Sequence, residues 1–320
     1  MPPPAPRPIV VIGSVNMDLV CRARHMPAPG ETVIGGDVAT IPGGKGANQA
    51  VAAAKLGRNV HLVARVGDDD FGQRLMLGLK HHGVRTRHVT VTEGTASGCA
   101  MILVDGKGEN SIVVSPGANG RLTPRDIDAA EDLIASAAVV VMQLEIPPET
   151  VRHALALCQR RNVYTILDPA PVPARPLTRA FYGVDLFTPN QIEAEALLGR
   201  GAGEGLEPGS GKLREPKQVG MALLSRGART VVLKLGRAGA MVLEREGNIE
   251  RVAPYKVKVV DTTAAGDAFT AALAVGRAEG MGLVDSTRFA NAAGAACCRT
   301  FGAQPALPTR ADVDALMAKG

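Results

Sequence analysis

Aromatic side chains are scarce in this sequence: its 320 residues include six Phe, three Tyr and no Trp. Proteins that bind single-stranded nucleic acid stack the bases on aromatic side chains inside basic grooves. The net charge is +5, but the Lys and Arg residues are dispersed along the chain. We therefore expect no nucleic-acid partner, since a mild basic excess suits acidic small molecules equally well.

Long apolar runs are also missing. The uncharged stretch at residues 133–144 is well short of the ~18 apolar residues that span a bilayer. The N-terminus is rich in proline and the apolar run after it is interrupted at Asp18, which is not the pattern of a signal peptide. These features predict a cytoplasmic protein with no membrane partner and with a disordered tail at residues 1–8.

Cysteine is infrequent, odd in number and nowhere arranged as C-x-x-C. The five thiols are therefore expected to be reduced and buried. Cys297 and Cys298 lie in an alanine-rich run, which favours small core residues over a metal or redox role.

Buried strands alternate with helical patterns along the chain. Continuous β-branched or aliphatic runs occupy residues 9–12, 60–66, 138–144, 163–167 and 230–235. Helical patterns cover residues 48–56, stopped by Gly57, and residues 150–161. This alternation predicts an α/β protein with a parallel sheet, whose ligands bind at the carboxyl ends of the strands.

Two segments break the alternation. Residues 32–41 and 98–114 are short strand patterns with no helix between strands, and the second predicts a hairpin around Asp105-Gly106. Together they predict a small antiparallel flap. The glycine-rich residues 199–211 lack apolar periodicity and predict a mobile surface loop.

Two common nucleotide-binding signatures are absent. The candidate for G-x-x-x-x-G-K-[ST] at Gly211-Lys212 has leucine at two required positions, and the first strand is followed by no G-x-G-x-x-G. The P-loop NTPase and NAD-dehydrogenase classes therefore lose their main support.

The strongest chemical motif is Asp261-Thr-Thr-Ala-Ala-Gly-Asp267, followed by an apolar helical pattern at residues 268–275. Small residues before a helix allow the backbone amides of Ala265, Gly266 and Asp267 to approach an anion. Asp267 is then a candidate general base for phosphoryl transfer, kept ionised by the helix terminus. The alternative is an ordinary acidic helix cap.

Three weaker groups accompany it. Gly43-Gly-Lys-Gly-Ala-Asn48 offers close backbone approach and polar donors for a polyol, or is a plain turn. Asn16, Asp18 and Glu145 follow strands and suit paired sugar hydroxyls, or are solvated loop residues. In Thr188–Glu195, Asn190 can cap a helix that places Glu193 near Mg²⁺ through water, or the pair is only a cap.

These motifs together resemble the ribokinase (pfkB-type) family of carbohydrate kinases over about Ile9 to Pro308, with residues 43–57 and 261–267 matching its two signatures. The resemblance implies a three-layer α/β/α fold with a mostly parallel central sheet of about nine strands. It also implies a single kinase domain at residues 9–320, with a β-sheet lid from about 17–42 and 97–116 that pairs two copies as a homodimer. The implied reaction is ATP-dependent phosphorylation of D-ribose at O5.

The resemblance also implies residue roles. The catalytic set would be Asp267 as base with an anion hole at Ala264, Ala265 and Gly266. The sugar contacts would be Asn16, Met17, Asp18, Gly43, Gly44, Lys45, Asn48, Glu145 and Asp267. The ATP contacts would be Asn190, Lys234, Leu235, Gly236, Gly239, Gly266, Asp267 and Asn291. Glu193 would bind Mg²⁺ through water, and an activating K⁺ would lie among Asp261, Thr263, Cys297, Thr300, Gly302 and Ala306.

Two positions depart from the family pattern. Ala306 stands where a serine hydroxyl can complete the cation shell, which predicts weaker potassium dependence. Lys234 stands where a threonine can occur; its ammonium is expected to reach the ATP phosphates or a carboxylate beside them, or else to extend to the surface.

Other functions of the same fold stay open, namely a kinase of a nucleoside, deoxyribose or fructose. The scarcity of aromatic residues argues against a nucleoside, whose base would need stacking partners. A non-catalytic sugar-binding protein is the alternative from a different class, and the presence of both Asp267 and Glu193 argues against it.

Overall fold

The computed structural model describes residues 6–199 and 214–319. Its strands are Ile9–Ile12 (β1), Asn16–Arg22 (β2), Ala39–Gly43 (β3), Val60–Gly67 (β4), Arg85–Thr92 (β5), Gly98–Val104 (β6), Asn110–Ser115 (β7), Val139–Met142 (β8), Tyr164–Leu167 (β9), Leu186–Phe187 (β10), Thr230–Lys234 (β11), Ala240–Glu244 (β12) and Ile249–Val252 (β13). Its α-helices are Lys45–Lys55 (α1), Asp70–His81 (α2), Pro124–Asp128 (α3), Glu131–Ser136 (α4), Pro148–Arg160 (α5), Arg179–Tyr182 (α6), Gln191–Leu197 (α7), Pro216–Ser225 (α8), Ala265–Ala278 (α9), Leu283–Cys297 (α10) and Arg310–Met317 (α11).

The central sheet is mostly parallel. Within the described ranges it has nine strands in the order β13-β12-β11-β10-β9-β8-β1-β4-β5. Only its β11–β12 and β12–β13 pairs are antiparallel. The carboxyl ends of β1, β8, β9, β10 and β11 therefore meet at one edge, which is where ligands bind in such sheets.

Helices cover both faces of this sheet. Successive side chains of β1 point to opposite faces, so Ile9 and Val11 pack with α1, α2, α9, α10 and α11, whereas Val10 and Ile12 pack with α3 to α8. Both cores are almost entirely aliphatic and alanine-rich. The predicted three-layer α/β/α fold is confirmed.

The predicted strands of the central sheet are all present, and their limits differ by at most two residues. The helix expected at residues 48–56 is longer, because α1 begins at Lys45 inside the glycine-rich motif. Gly57, with φ of 91°, follows its C-terminus as expected.

A second, smaller sheet has the order β3-β2-β6-β7. The hairpin of β6 and β7 turns at Asp105, whose side chain accepts hydrogen bonds from the amides of Lys107 and Glu109. The strand expected at residues 32–41 is wrong over its first part, since only Ala39–Gly43 pairs with β2. Residues 32–38 are largely exposed and bond to β2 only at Gly36, whose amide donates to the Arg22 carbonyl and whose carbonyl accepts from Cys21 Sγ.

Three further expectations, on the cysteines, on membrane spans and on the glycine-rich stretch, can be compared with the structure. Cys158 and Cys297 are buried, but Cys21, Cys99 and Cys298 are only half-buried, because the first two lie on the smaller sheet and the third beside a pocket. None of the described helices combines the length and hydropathy needed to cross a membrane. Apart from Gly199, the glycine-rich stretch 199–211 lies outside the described residues, as do residues 1–5 of the tail.

Candidate active site

The glycine-rich motif joins β3 to α1 and packs directly against the end of β1. Gly44 has φ of 86°, and a Cβ there would lie 2.6 Å from the Asn16 amide nitrogen. A Cβ on Gly46 would lie 2.6 Å from the Gly13 carbonyl carbon. Only glycine allows this approach, which brings the first turn of α1 to the carboxyl ends of the sheet.

Asp267 lies in the first turn of α9, buried against α1. Its Oδ2 accepts a hydrogen bond from Asn48 Nδ2 at 2.9 Å, and its Oδ1 accepts one from Gln49 Nε2 at 3.1 Å. Burial raises the pKa of Asp267, the Asp168 carboxylate adds to the increase, and Lys45 opposes it. This direction is opposite to the one expected from the helix terminus alone, and a more basic carboxylate suits a general base.

The amide of Gln49 bridges two buried carboxylates. Its Nε2 also donates to Asp168 Oδ2 at 3.0 Å, while its Oε1 accepts from Gln143 Nε2 at 2.6 Å. Lys234 Nζ donates to the other oxygen, Asp168 Oδ1, at 2.9 Å. Lys234 is only 12% exposed, so the expected contact with a carboxylate is present and the surface alternative is wrong.

Among the predicted sugar contacts, Asp18 lies close to Glu145 and Asp267, and Asn16 and Glu145 line one cavity. Glu145 Oε2 accepts from Ser14 Oγ at 2.5 Å and from the Lys45 amide at 3.1 Å. The Asp18 carboxylate lies over Gly43, where a Cβ would be 2.2 Å away. Burial, with Glu145 and Asp267 nearby, raises the pKa of Asp18 to about 7.

Two residues predicted to contact ligands have side chains that pack in the core. The Met17 side chain is fully buried in the core, because it alternates with Asn16 and Asp18 along β2. Leu235 likewise packs against the core rather than lining a pocket. At both positions only the backbone can serve a ligand.

Lys45 carries its positive charge among the site's carboxylates. Burial acts to lower the pKa of Lys45, but the carboxylates of Asp267, Asp168, Glu145 and Glu193 raise it above its ordinary value. The ammonium therefore stays charged among these four carboxylates.

A pocket of about 600 Å³ opens on the other side of Asp267. Five of the predicted ATP contacts line it, namely Lys234, Gly236, Gly239, Gly266 and Asn291. Asn291 Nδ2 donates to the Ala253 carbonyl at 3.0 Å, which holds the segment after β13 against the pocket. Sequence reasoning missed Tyr255, Phe269 and Gly294, whose part in the lining depends on how α9, α10 and that segment pack.

In the segment predicted to form an anion hole, one backbone amide is already bonded within the turn before α9. Ala264 precedes α9 with φ of 59°, and the Ala265 amide donates to the Thr262 carbonyl at 3.2 Å. The Ala265 N–H group is therefore already hydrogen-bonded within the turn. The amides of Gly266 and Asp267 lie in the first helical turn, whose N–H groups have no intrahelical acceptor.

Asn190 and Glu193 form a reciprocal cap at the start of α7. The Asn190 side chain accepts from the Glu193 amide at 2.8 Å, and Glu193 Oε2 accepts from the Asn190 amide at 2.7 Å. The capping interpretation is thus correct. Glu193 Oε1 forms no hydrogen bond with the residues that the structure describes, and a carboxylate oxygen of this kind fits a water bound to Mg²⁺.

The predicted cation ligands lie in two segments that Asp261 joins, the loop before α9 and the end of α10 with the chain that follows it. Asp261 Oδ1 accepts from the amide and hydroxyl of Thr263, and its Oδ2 accepts from the Gly302 amide at 2.9 Å. Burial opposes ionisation, but these hydrogen bonds hold the pKa of Asp261 below its usual value. An ionised carboxylate among carbonyl groups fits a monovalent cation in chemical kind, and the Ala306 side chain adds no oxygen.

Sequence reasoning left Gln49 and Asp168 out of the candidate site. Asp168 follows β9 as Glu145 follows β8, so its position at a strand end was an available signal. Gln49 gave no such signal, because its partners are 119 and 218 residues away in sequence.

The pfkB family of carbohydrate kinases matches residues 7–310. A ribokinase of Bacillus subtilis is 40% identical over 97% of this chain and 99% of its own. A deoxyribokinase of Salmonella typhi is 36% identical over 82% of each. The structure of Arabidopsis thaliana ribokinase complexed with ribose and ATP has a TM-score of 0.87, with 30% identity, 97% of this chain and 98% of the other covered. The chain therefore belongs to the pfkB family of carbohydrate kinases.

Proposed function

We propose that this kinase transfers the γ-phosphoryl group of ATP to O5 of D-ribose, giving D-ribose 5-phosphate. The observation that carries the proposal is the position of Asp267, which lies close to Asp18 while its neighbour Gly266 lines the 600 Å³ pocket. The ribose and ATP complex of the Arabidopsis relative supports the same pair of ligands.

In the proposed reaction the O5–phosphorus bond forms while the bond from the γ-phosphorus to its bridging oxygen breaks and ADP leaves. Asp267 accepts the O5 proton late, as a loose transition state allows. The Gly266 and Asp267 amides and the Lys45 ammonium face the charge on the transferred group. Asn16, Asp18 and Glu145 bind the other hydroxyls.

A bare pentose suits the sugar side better than a nucleoside. A cavity of about 350 Å³ beside Asn16 and Glu145 is lined by aliphatic, proline and polar residues, and the described residues that line it include no aromatic side chain for a base. Deoxyribose is the second candidate, because the deoxyribokinase is nearly as similar as the ribokinases.

A coupled ADP-release assay tests the proposal with ribose, deoxyribose, fructose, adenosine and 2-keto-3-deoxygluconate. We expect the highest kcat/KM with ribose. A higher value with any other acceptor would replace the substrate, and turnover with none would leave the non-catalytic alternative.

We also propose that Glu193 holds Mg²⁺ through water and that Asp261, with the carbonyl groups of Thr263, Cys297, Thr300 and Gly302, holds K⁺. A cation there would order the loop that precedes α9 and so strengthen the anion hole. We expect potassium chloride to activate relative to choline chloride at matched ionic strength.

Ala306→Ser tests the missing cation ligand. Ala306 is buried four residues after Gly302, whose amide donates to Asp261, so a hydroxyl there would add an oxygen to the proposed shell. We expect the potassium activation curve to move to lower concentration, with kcat at saturating potassium nearly unchanged. An unchanged curve, or rates that ignore potassium altogether, would contradict the site.

The raised pKa of Asp18, about 7 against an ordinary 3.8, predicts pH-dependent sugar binding. The ionised carboxylate accepts hydrogen bonds from hydroxyls, so the KM for ribose should rise about tenfold from pH 8 to pH 6. Between pH 4 and 7 the folded chain binds more protons at Asp18 than the unfolded chain, so this group's contribution to stability falls as pH rises. Asp18→Asn should flatten both trends; an equally steep KM profile in that variant would exclude Asp18 as the cause.

We propose that residues 9–320 act as one kinase domain, that residues 17–42 and 97–116 form its lid, and that two lids pair to form a homodimer. The edge strand β7 exposes Ile112 and Val113 to 51% and 62%, and Met101 on β6 is 47% exposed. Edge strands with such side chains pair with another chain. We expect Val113→Lys to halve the mass measured by light scattering, whereas Leu77→Lys on α2 leaves it unchanged; a monomeric wild type would refute the dimer.

A further inference from the structure

Asn119 lies in the turn of residues 117–121 that follows the lid strand β7, and it is 1% exposed. Its Oδ1 accepts from the Val15 amide at 2.8 Å, and its Nδ2 donates to the Val15 carbonyl at 3.1 Å and to Asn16 Oδ1 at 2.7 Å. One side chain thus holds both the backbone that follows β1 and a sugar-side amide.

These contacts fix which way both amides face. The Val15 N–H can only donate, so the atom of Asn119 that meets it must be the oxygen. The Asn119 nitrogen then faces Asn16, and two NH₂ groups at 2.7 Å would repel, so the Asn16 atom in contact must also be its oxygen. The Asn16 NH₂ group is consequently the end left for the cavity that Asn16 and Glu145 line.

The surrounding backbone makes this arrangement rigid. A Cβ on Gly98 would lie 2.1 Å from Asn119 Nδ2 and 2.2 Å from Asn16 Oδ1, so the two amides meet across a glycine. Gly117 has φ of 50° and a Cβ there would lie 2.4 Å from the Ala96 carbonyl oxygen, while the Ala118 amide donates to that oxygen at 2.9 Å. The turn that carries Asn119 is therefore fastened to the start of β6.

We propose that Asn119 is a positioning residue that sets the substrate specificity of the site, by fixing the Asn16 amide with its NH₂ group toward the sugar. The inference rests on the proposed sugar kinase function. It requires that one substrate oxygen accept a hydrogen bond from Asn16, so a substituent that accepts is favoured there over one that does not.

The test compares analogues in which one ribose hydroxyl is replaced by hydrogen or by fluorine, which accepts weakly and never donates. In the wild type, one fluoro sugar should have a higher kcat/KM than the deoxy sugar modified at the same position. In Asn119→Asp the carboxylate attracts the Asn16 NH₂ group and turns the amide, so that Oδ1 faces the fluorine. We expect the ratio of fluoro to deoxy kcat/KM to fall about tenfold at that position alone, with the KM for ATP unchanged.

Thr150→Val is the matched control, because it removes a buried hydrogen bond from Thr150 Oγ1 to the Leu122 carbonyl just after the same turn. Its fluoro-to-deoxy ratios should equal those of the wild type. Asn16→Asp gives a second route if Asn119→Asp does not fold, since it keeps the acceptor that Asn119 needs and replaces the NH₂ group; the same ratio should fall.

A wild-type ratio in folded Asn119→Asp, or in Asn16→Asp when the former does not fold, rejects the inference. If the KM for ATP rises by the same factor as the fluoro-to-deoxy ratio falls, the inference is also rejected, because that result would show a general disruption of the site. A wild type that phosphorylates no sugar overturns the proposed function instead, and the inference with it.

Discussion

Asp267→Asn is expected to lower kcat for the sugar by about 10²-fold or more, the scale associated with loss of a positioned general base. The carboxylate is buried, and amides of α1 hold both of its oxygens. An asparagine keeps the shape and one acceptor, so the fold and ATP binding should persist while the proton acceptor is lost. The measurement is steady-state turnover of purified protein, with circular dichroism and the KM for ATP as checks on folding.

Asp285→Asn provides a matched control. Asp285 occupies the third position of α10 as Asp267 does in α9, but it is exposed and contacts Arg288. Both substitutions remove a negative charge from a helix N-terminus, which is a small stability effect at an exposed site. Turnover should be unchanged in Asp285→Asn, and near-wild-type turnover in folded Asp267→Asn would remove Asp267 from the role of base.

The layers of the fold were predictable because their signal is local. A strand buried on both faces reads as a continuous aliphatic run, and a helix between two such runs implies a parallel crossover. The N-terminus of α1 was less readable, since Gly43-Gly-Lys-Gly suggests a turn. The helix begins there because Gly46 packs on Gly13, a contact that involves residues 33 positions apart.

The electrostatics of the site were not predictable in the same way. A helix terminus alone favours an ionised Asp267, and that was the expectation. The opposite direction of its pKa comes from burial beneath α1 and from Asp168, neither of which lies near it in sequence. A motif is enough to nominate Asp267 as the base, whereas the proton affinity of its carboxylate depends on which distant groups surround it.

The same distinction applies to Lys234. Its place at the end of β11 indicated a contact near the nucleotide, but only the structure identifies the partner as Asp168, 66 residues earlier. Its Nζ also lies 3.6 Å from the position of a Cβ on Gly266, at the start of α9. The ammonium therefore stands between a buried carboxylate and the start of α9, in the pocket proposed to bind ATP.

Lys234→Thr is expected to have two effects. It leaves Asp168, which is 2% exposed, without its charged partner, and breaking a buried pair in this way costs about 3–5 kcal/mol of unfolding free energy. It also removes a cation from the nucleotide pocket, so the KM for ATP should rise several-fold at low salt while the KM for ribose stays nearly constant. The rise in the KM should shrink as ionic strength increases.

A double-mutant cycle with Asp168→Asn separates the two effects. In the double variant Asp168→Asn with Lys234→Thr, neither member of the pair carries a charge. The amide oxygen of the introduced asparagine can still accept a hydrogen bond from Gln49 Nε2, while its NH₂ group faces the threonine hydroxyl. We expect the double variant to regain most of the stability lost in Lys234→Thr, but to keep the raised KM for ATP, because the ammonium is still missing.

The exposed pair Arg161–Glu131 is the control: Arg161→Thr should change stability by no more than about 1 kcal/mol. Additive stability changes around the cycle would contradict the ion pair, and a wild-type KM for ATP in both Lys234 variants at low salt would mean that Lys234 serves Asp168 alone and does not act on the nucleotide.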